Sequence, residues 1–454
     1  MLQFLPIFTI AQVPTPTPVE VLQPQQVRPP PGQLDTVPVF NSNSPELVLN
    51  EGILLSTFPS EGKQSPAAHL NFPFLGRFDI FAHHVARAPE PGDLRTLYQG
   101  IIVNNPGTRP VQIDILQAAS YLSQPDAPFI ELGPVLDNTT GMVFAGPGSR
   151  VMSDVLRVRR QNIFPSKLVI PPGVSQMIMN LPIPVATLTP PLNGRSTLMR
   201  LRSNGRIYLA SLAMFAPREP NGMERAPNVA EWQNLLDKGK LSEPRDSTPT
   251  PLEQTSKVVY GRVAGVAQGS QWTAQLVDNP KSQVLNIPQP GQAFSYGLST
   301  LHLGRLGTGQ NQSARMLVRY PDTAYEAHGN YGIHYNLSLP LVNNTPQPQT
   351  VAVTIQTPIK EDQLSKPGLR FFNPPQRQVF FRGTVRLRYN DDQSQPQTRF
   401  VHLVQRRGQQ GEPLVLLSMK PGERRLVEVD FLYPPDATPP QVLTVKTLVS
   451  SQDN

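Results

Sequence analysis

Residues 319–346 read RYPDTAYEAHGNYGIHYNLSLPLVNNTP. A polar, aromatic loop rich in Gly and His feeds an alternating segment that ends in Asn343-Asn344-Thr345-Pro346. Alternation of apolar and polar residues marks a half-buried strand, and Asn and Pro mark the turn that closes it. A second strand is expected over residues 350–357. The first half of the chain carries the same pattern: a strand over 98–103, a turn at Asn104-Asn105-Pro106-Gly107, and a return strand over 111–116. A second echo follows. Pro172-Gly173 and the strand after it precede residues 186–191, and Pro421-Gly422 and the strand after it precede Ala437-Thr438-Pro439-Pro440. Both echoes recur at roughly 240 to 250 residues, which predicts one β-rich unit present twice. Many short strands with frequent turns suit antiparallel sandwiches. The expected fold is therefore all-β: two tandem antiparallel β-sandwich domains with minor helices.

Composition agrees. The chain has 454 residues, 52 of them Pro and none Cys. Proline is barred from helix interiors and central strands, so loops, short strands and an extended linker are expected. Without Cys there are no disulfides, no thiolate-bound zinc and no thiol catalysis. The formal charge is +7. The positive charges are mostly single arginines spread along strands. A nucleic-acid site would cluster them with exposed aromatics, so nucleic acid is not an expected partner. The excess of positive charge suits an anionic envelope polymer or polysaccharide, and membrane contact at most peripheral.

Residues 1–11 form a signal-like segment, too short to span a bilayer and similar to the apolar core of a secretory signal. The usual positive flank is missing, which points to a start inside a longer signal. Residues 12–38 read as a solvated, polyproline-like spacer. The first sandwich is expected over 39–217. In it, Ser149 should cap a helix reaching Arg160, with Arg157, Arg159 and Arg160 opposing the macrodipole. Ser203-Asn204-Gly205 should turn a hairpin between strands 198–202 and 207–215, because Asn-Gly tolerates positive φ at both positions. Residues 218–255 read as a linker with one helix, 229–238. Asn228 and Glu231 form its capping box, Gly239 ends it, and Trp232, Leu235 and Leu236 give it an apolar face. The second sandwich is expected over 256–450. There Thr384, Arg386 and Arg388 alternate with Val385, Leu387 and Tyr389, the pattern of a basic solvent face opposite a core face.

Four stretches carry a family resemblance: residues 32–46 (GQLDTVPVFNSNSPE), 78–84 (FDIFAHH), 120–129 (SYLSQPDAPF) and 319–330 (RYPDTAYEAHGN). Together they make the chain similar to a cyanobacterial family of exported proteins of unknown function. The resemblance spans nearly the whole mature chain. It implies periplasmic or envelope residence, and it brings no reaction, ligand or catalytic residue.

The densest titratable group lies in the opening stretch. Asp322, Glu326, His328 and His334 sit beside Tyr325, Tyr331 and Asn330. A His with a carboxylate partner can do acid–base work near neutral pH. Aromatics in a polar loop can stack on sugar rings, with Asn330 and Glu326 bonding hydroxyls. The same residues also fit a loop packed over the sheet. Asp322, Tyr325, Glu326, His328, Asn330, Tyr331 and His334 are thus the candidate ligand-binding set, with no catalytic or metal residue assigned. His83 and His84 share a strand and should point to opposite faces, which opposes a common metal. Residues 304–309 are Gly-rich but lack the Lys of a phosphate loop, and no nucleophile elbow or His-Glu-x-x-His is present, so no cofactor is expected. The leading expectation is a non-enzymatic envelope module. The alternative is a carbohydrate-active or other envelope hydrolase using Asp322, Glu326 and His328, whose side chains would have to converge. A carbohydrate-binding module would instead expose a planar row of Tyr325, Tyr331 and Tyr335.

Overall fold

The computed structural model describes residues 17–449. The signal-like segment lies outside them. The protein is all-β, with two α-helices, α1 (Pro147–Leu156) and α2 (Val229–Lys238), among the described residues.

One strand order occurs twice. In the first half it runs Lys167–Ile170, Val111–Leu122, the leading part of Leu192–Phe215, Phe74–Arg87, Pro38–Ser42. In the second it runs Val415–Met419, Gln349–Gln356, Gln441–Thr447, Ala293–Leu298, Gln26–Arg28. In both, the last pair is parallel and the others are antiparallel. The facing layers also correspond. Ser175–Ile183 pairs with Leu97–Asn104, and Arg424–Leu432 pairs with His334–Val342, both antiparallel.

The turns that anchor these layers share three side-chain hydrogen bonds. Asn105 Nδ2 donates to Arg109 O at 2.7 Å and Ile170 O at 2.9 Å, while its Oδ1 accepts from Gly107 N at 2.9 Å. Asn343 Nδ2 donates to Gln347 O at 2.9 Å and Met419 O at 2.8 Å, while its Oδ1 accepts from Thr345 N at 2.9 Å. Backbone bonds repeat as well, with Gly173 N donating to Asn105 O and Gly422 N to Asn343 O. The equivalent of Asn343 is thus Asn105, the second Asn of its turn.

Several expectations are corrected. Within its described part, the spacer is not a solvated tether. Val19–Gln23 pairs with Leu369–Asn373, and Gln26–Arg28 fills the edge of the second-half sheet. Pairing satisfies backbone groups that a tether would leave to water. The boundary placed at 218–255 is crossed by a sheet. Ala264–Gln268 pairs with Pro38–Ser42 on one side and Ala314–Arg319 on the other. The hairpin at Ser203-Asn204-Gly205 is absent. Leu192–Phe215 is one 24-residue strand, whose register shifts between Ser203 and Ile207 as its partner changes from Val111–Leu122 to Leu97–Asn104. Asn204 Oδ1 accepts from Gln112 N at 2.8 Å, and a Cβ on Gly205 would lie 2.5 Å from Val111 Cγ2. Neighbouring strands hold the peptide extended and override its turn preference.

Helix α1 starts at Pro147 with Gly146 as its cap, two residues before Ser149, whose hydroxyl bonds back to Ala145 and Gly146. Its Val151, Met152, Val155 and Leu156 join the large core cluster, which is mostly built from the second half but includes Val39, Phe81, Ala119 and Leu198. Beyond its end, Arg157 donates to Asn138 O and to Thr139 O and stacks 3.8 Å over Phe400. Helix α2 has the expected bounds, capping box and terminal Gly239. Its Trp232 and Leu236 are buried against Ile53, Ile102 and Leu212, so this segment docks on the first half. The face carrying Thr384 and Arg386 is not solvent. Thr384 Oγ1 accepts from Asn138 Nδ2 at 3.0 Å, and Arg386 pairs with the buried Asp430 at 2.8 Å. That face lies against first-half segments.

Candidate functional site

The sheet that crosses the chain positions a cleft of about 200 Å³. Its walls come from four places: Asn41 and Asn43 at the end of Pro38–Ser42, residues 260–263 leading into Ala264–Gln268, the loop 327–331, and residues 437–439. Leu301 and Lys360 complete it. Strand alternation puts Asn41 and Asn43 on the same face. Pairing with Ala264–Gln268 holds Asn41 opposite Gly265, and Asn43 N donates to Val263 O at 2.8 Å.

The structure brings His328, Asn330 and Tyr331 of the candidate set to this cleft. His328 is buried and its ring lies 4.7 Å from that of Tyr260. Burial, with the nearby His302 and Lys360 adding to it, lowers its pKa to about 4, so the ring is neutral at pH 7. Its Nδ1 lies 3.8 Å from Glu326 Oε2 and makes no hydrogen bond. Asn330 is a structural residue. It holds a left-handed backbone at φ +50°, accepts from Ala314 N at 3.2 Å and donates to Gln312 O at 3.0 Å. Tyr331 packs beside Phe81 with 6.0 Å between ring centres, and burial pushes its pKa up to about 12.

The other four residues are engaged elsewhere. Asp322 accepts two bonds from Arg245, at 2.7 and 3.1 Å, which lower its pKa. Tyr325 lies under Arg319 at 4.0 Å. Glu326 accepts from Asn311 Nδ2 at 2.8 Å. His334 faces Asp430 at 3.3 Å. Asp322, Glu326 and His328 therefore do not converge as the hydrolase reading requires. The row of exposed tyrosines is absent too, since Tyr335 is fully buried and stacked on Phe431 at 5.4 Å. Among the described residues no group of His, Asp or Glu gathers as a metal site. His83 and His84 take separate partners. His83 Nδ1 meets Ser196 Oγ at 2.8 Å, and His84 meets Ser42 Oγ at 2.9 Å and Pro45 O at 2.8 Å.

What remains in the cleft was not read from the sequence. Asn41 and Asn43 are each 4% exposed, and their Oδ1 atoms have no hydrogen-bond partner. Lys360 Nζ donates to Tyr260 Oη and sits 4.3 Å over that ring, while Tyr260 Oη donates to His302 O at 2.7 Å. Burial lowers the Lys360 pKa to about 8 against the pull of Asp362. Burial likewise raises Tyr260 to about 12. Arg262, at the rim, pairs with Glu46 and lies 3.7 Å from Asp246. Behind the cleft, Asn41, Asn330 and Tyr331 also line a small cavity of about 10 Å³ that ends on Asp79. That is room for about one water. Asp79 is 1% exposed, and burial raises its pKa despite Arg77 and Arg200 nearby. The signal for the two asparagines was their two-residue spacing beside a strand. Nothing local marked Lys360.

Among the described residues no helix is long and apolar enough to cross a membrane. A comparison with curated proteins finds no match. A family model described as a protein of unknown function, DUF3370, matches residues 25–447, which include every wall of the cleft, and the chain belongs to that family.

Proposed function

We propose that this protein is exported to the cell envelope and acts there as a non-catalytic binding module, with its ligand seated in the cleft between Asn41, Tyr260, His328 and Lys360. The observation that carries the reading is the pair of buried carboxamides. A buried polar group without a partner costs about 1–3 kcal/mol. Asn41 and Asn43 each place such an oxygen, without a partner from the chain, on one wall. Such groups are kept where a partner arrives from outside the chain. The carboxylates that an enzyme would use here are instead bonded to Arg245 and Asn311. The signal-like start and the resemblance to exported proteins support envelope residence.

The test is a binding screen of the purified protein against envelope polymers, acidic and neutral, with the double variant Asn41→Ala/Asn43→Ala beside it. A polymer that binds the natural chain and is lost in the variant is the expected result. Equal binding by both would place the ligand elsewhere. Cell fractionation tests residence, and a cytosolic protein would sink that half of the reading.

A further inference from the structure

Resting on that reading, we infer that the cleft recognises a carboxylated sugar, a uronic-acid unit of an acidic polysaccharide, with its hydroxyls on Asn41 and Asn43 and its carboxylate on Lys360. Each carboxamide offers two donors and an acceptor, and a sugar hydroxyl is itself both donor and acceptor. Two carboxamides on one strand face, two residues and so about 7 Å apart along the backbone, suit hydroxyls at well-separated positions of one ring. The space of about 200 Å³ is more than ten times the roughly 10–15 Å³ that one water needs, enough for one six-membered ring with its substituents. Tyr260 and Tyr331 supply apolar wall for the ring's C–H face.

The charge pattern selects the carboxylate. Arg262 is already paired with Glu46. Lys360 is not in an ion pair among the described residues: the nearby Asp362 carboxylate takes Arg305 at 2.7 Å instead. Lys360 is half-buried, held by the Tyr260 hydroxyl and ring, and retains N–H donors for a ligand. A partly desolvated ammonium with no carboxylate partner is a site for an incoming one. Asp362, His302, His328 and Tyr260 are the titratable groups that face it, and both imidazoles lack a bond at one ring nitrogen. His328, neutral at pH 7, lines the cleft without competing charge.

The experiment is calorimetric titration with three probes: a uronate monosaccharide, a uronate oligosaccharide, and the same oligosaccharide reduced at its carboxyls. The acidic oligomer should bind at least about tenfold tighter than the reduced one, a ratio typical of one charge-assisted contact. Monomer binding with the same preference would assign recognition to one unit. Binding by the oligomer alone would assign it to a unit within a chain. Lys360→Met should erase the preference for the acid, and Lys360→Arg should keep much of it. Acid binding should weaken between pH 7 and pH 9, as the ammonium with a pKa of about 8 loses its proton. Equal binding of acidic and reduced oligomers, no binding of either, or an unchanged preference in Lys360→Met would overturn the inference. If Lys360→Met does not fold, the acid-to-reduced ratio on the natural chain and the Arg variant decide the matter. Equal binding of both oligomers, lost in Asn41→Ala/Asn43→Ala, would leave the cleft reading intact while removing its acidic ligand.

Discussion

Two pairs of buried asparagines do opposite things in this molecule. Asn105 and Asn343 are 0% exposed, and each carboxamide is bonded at both ends. They close the same turn in the two halves and tie it to the end of a third strand. Asn41 and Asn43 are 4% exposed and their carboxamide oxygens bond nothing. The residue type, the burial and the strand-end location are shared. The difference is whether the fold supplies the partners. Where it does, an asparagine contributes to stability. Where it does not, the oxygen is left without a partner from the chain, and under the proposed binding role a ligand takes that place.

The largest expected effect extends this contrast to groups that titrate. His69 and His328 have pKa values lowered to about 4, His402 likewise to about 4, and His84 to about 3, each chiefly by burial. The unfolded chain takes these protons near pH 6.5, while the folded chain waits until pH 3 to 4. Between those values the unfolded state binds more protons, so stability falls as pH drops. From pH 7 to pH 5 each ring costs on the order of 2 kcal/mol, several in sum. Asp79 works the other way, because its pKa is raised. Urea midpoints measured across this range should fall steeply. A flat profile would mean that the imidazoles are not held neutral.

Next in size is the loss of a saturated carboxamide. Asn343→Ala leaves Met419 O and Gln347 O without their donor and Thr345 N without its acceptor. The expected loss is about 3 kcal/mol. Asn105→Ala should cost nearly as much, because it makes the same three bonds and lacks only the one that Asn343 Oδ1 accepts from Thr345 Oγ1 at 2.7 Å. A large inequality between the two would break the correspondence of the halves. Both should lower one common unfolding midpoint, since Ala264–Gln268 ties the second half into the first-half sheet.

Much of this was legible in the sequence. Asn228, Glu231 and Gly239 bound α2 correctly because capping is local chemistry. The repeated turns were legible for the same reason, since Asn105 and Asn343 bond mainly within their own turn and one returning strand, whereas the strand order was not. Illegible features depend on distant neighbours. Asn204-Gly205 turns in isolation, yet Val111 and Gln112 hold it in a strand. Val19–Gln23 reads as a spacer until Leu369–Asn373 lies beside it. In the site, His328 and Tyr331 were found from their own loop. Lys360 reaches the cleft from a stretch with no distinguishing pattern, and only the fold brings it to Tyr260.

The smallest effect is the most discriminating, because its sign differs. Alanine at position 41 or 43 removes a buried carboxamide whose oxygen has no partner in the chain, and it leaves space on the cleft wall rather than a sealed void. The relief of an unpaired polar group, about 1–3 kcal/mol, is set against lost packing of three heavy atoms. The net change should be near zero or a gain of up to about 1 kcal/mol, against a loss of about 3 at position 343. Thermal melts of the ligand-free variants measure it directly. A loss at 41 or 43 as large as that at 343 would show that solvent already satisfies these carboxamides and that the fold depends on them. A neutral or positive shift, together with lost binding, is the pattern of residues kept for a ligand at the expense of stability.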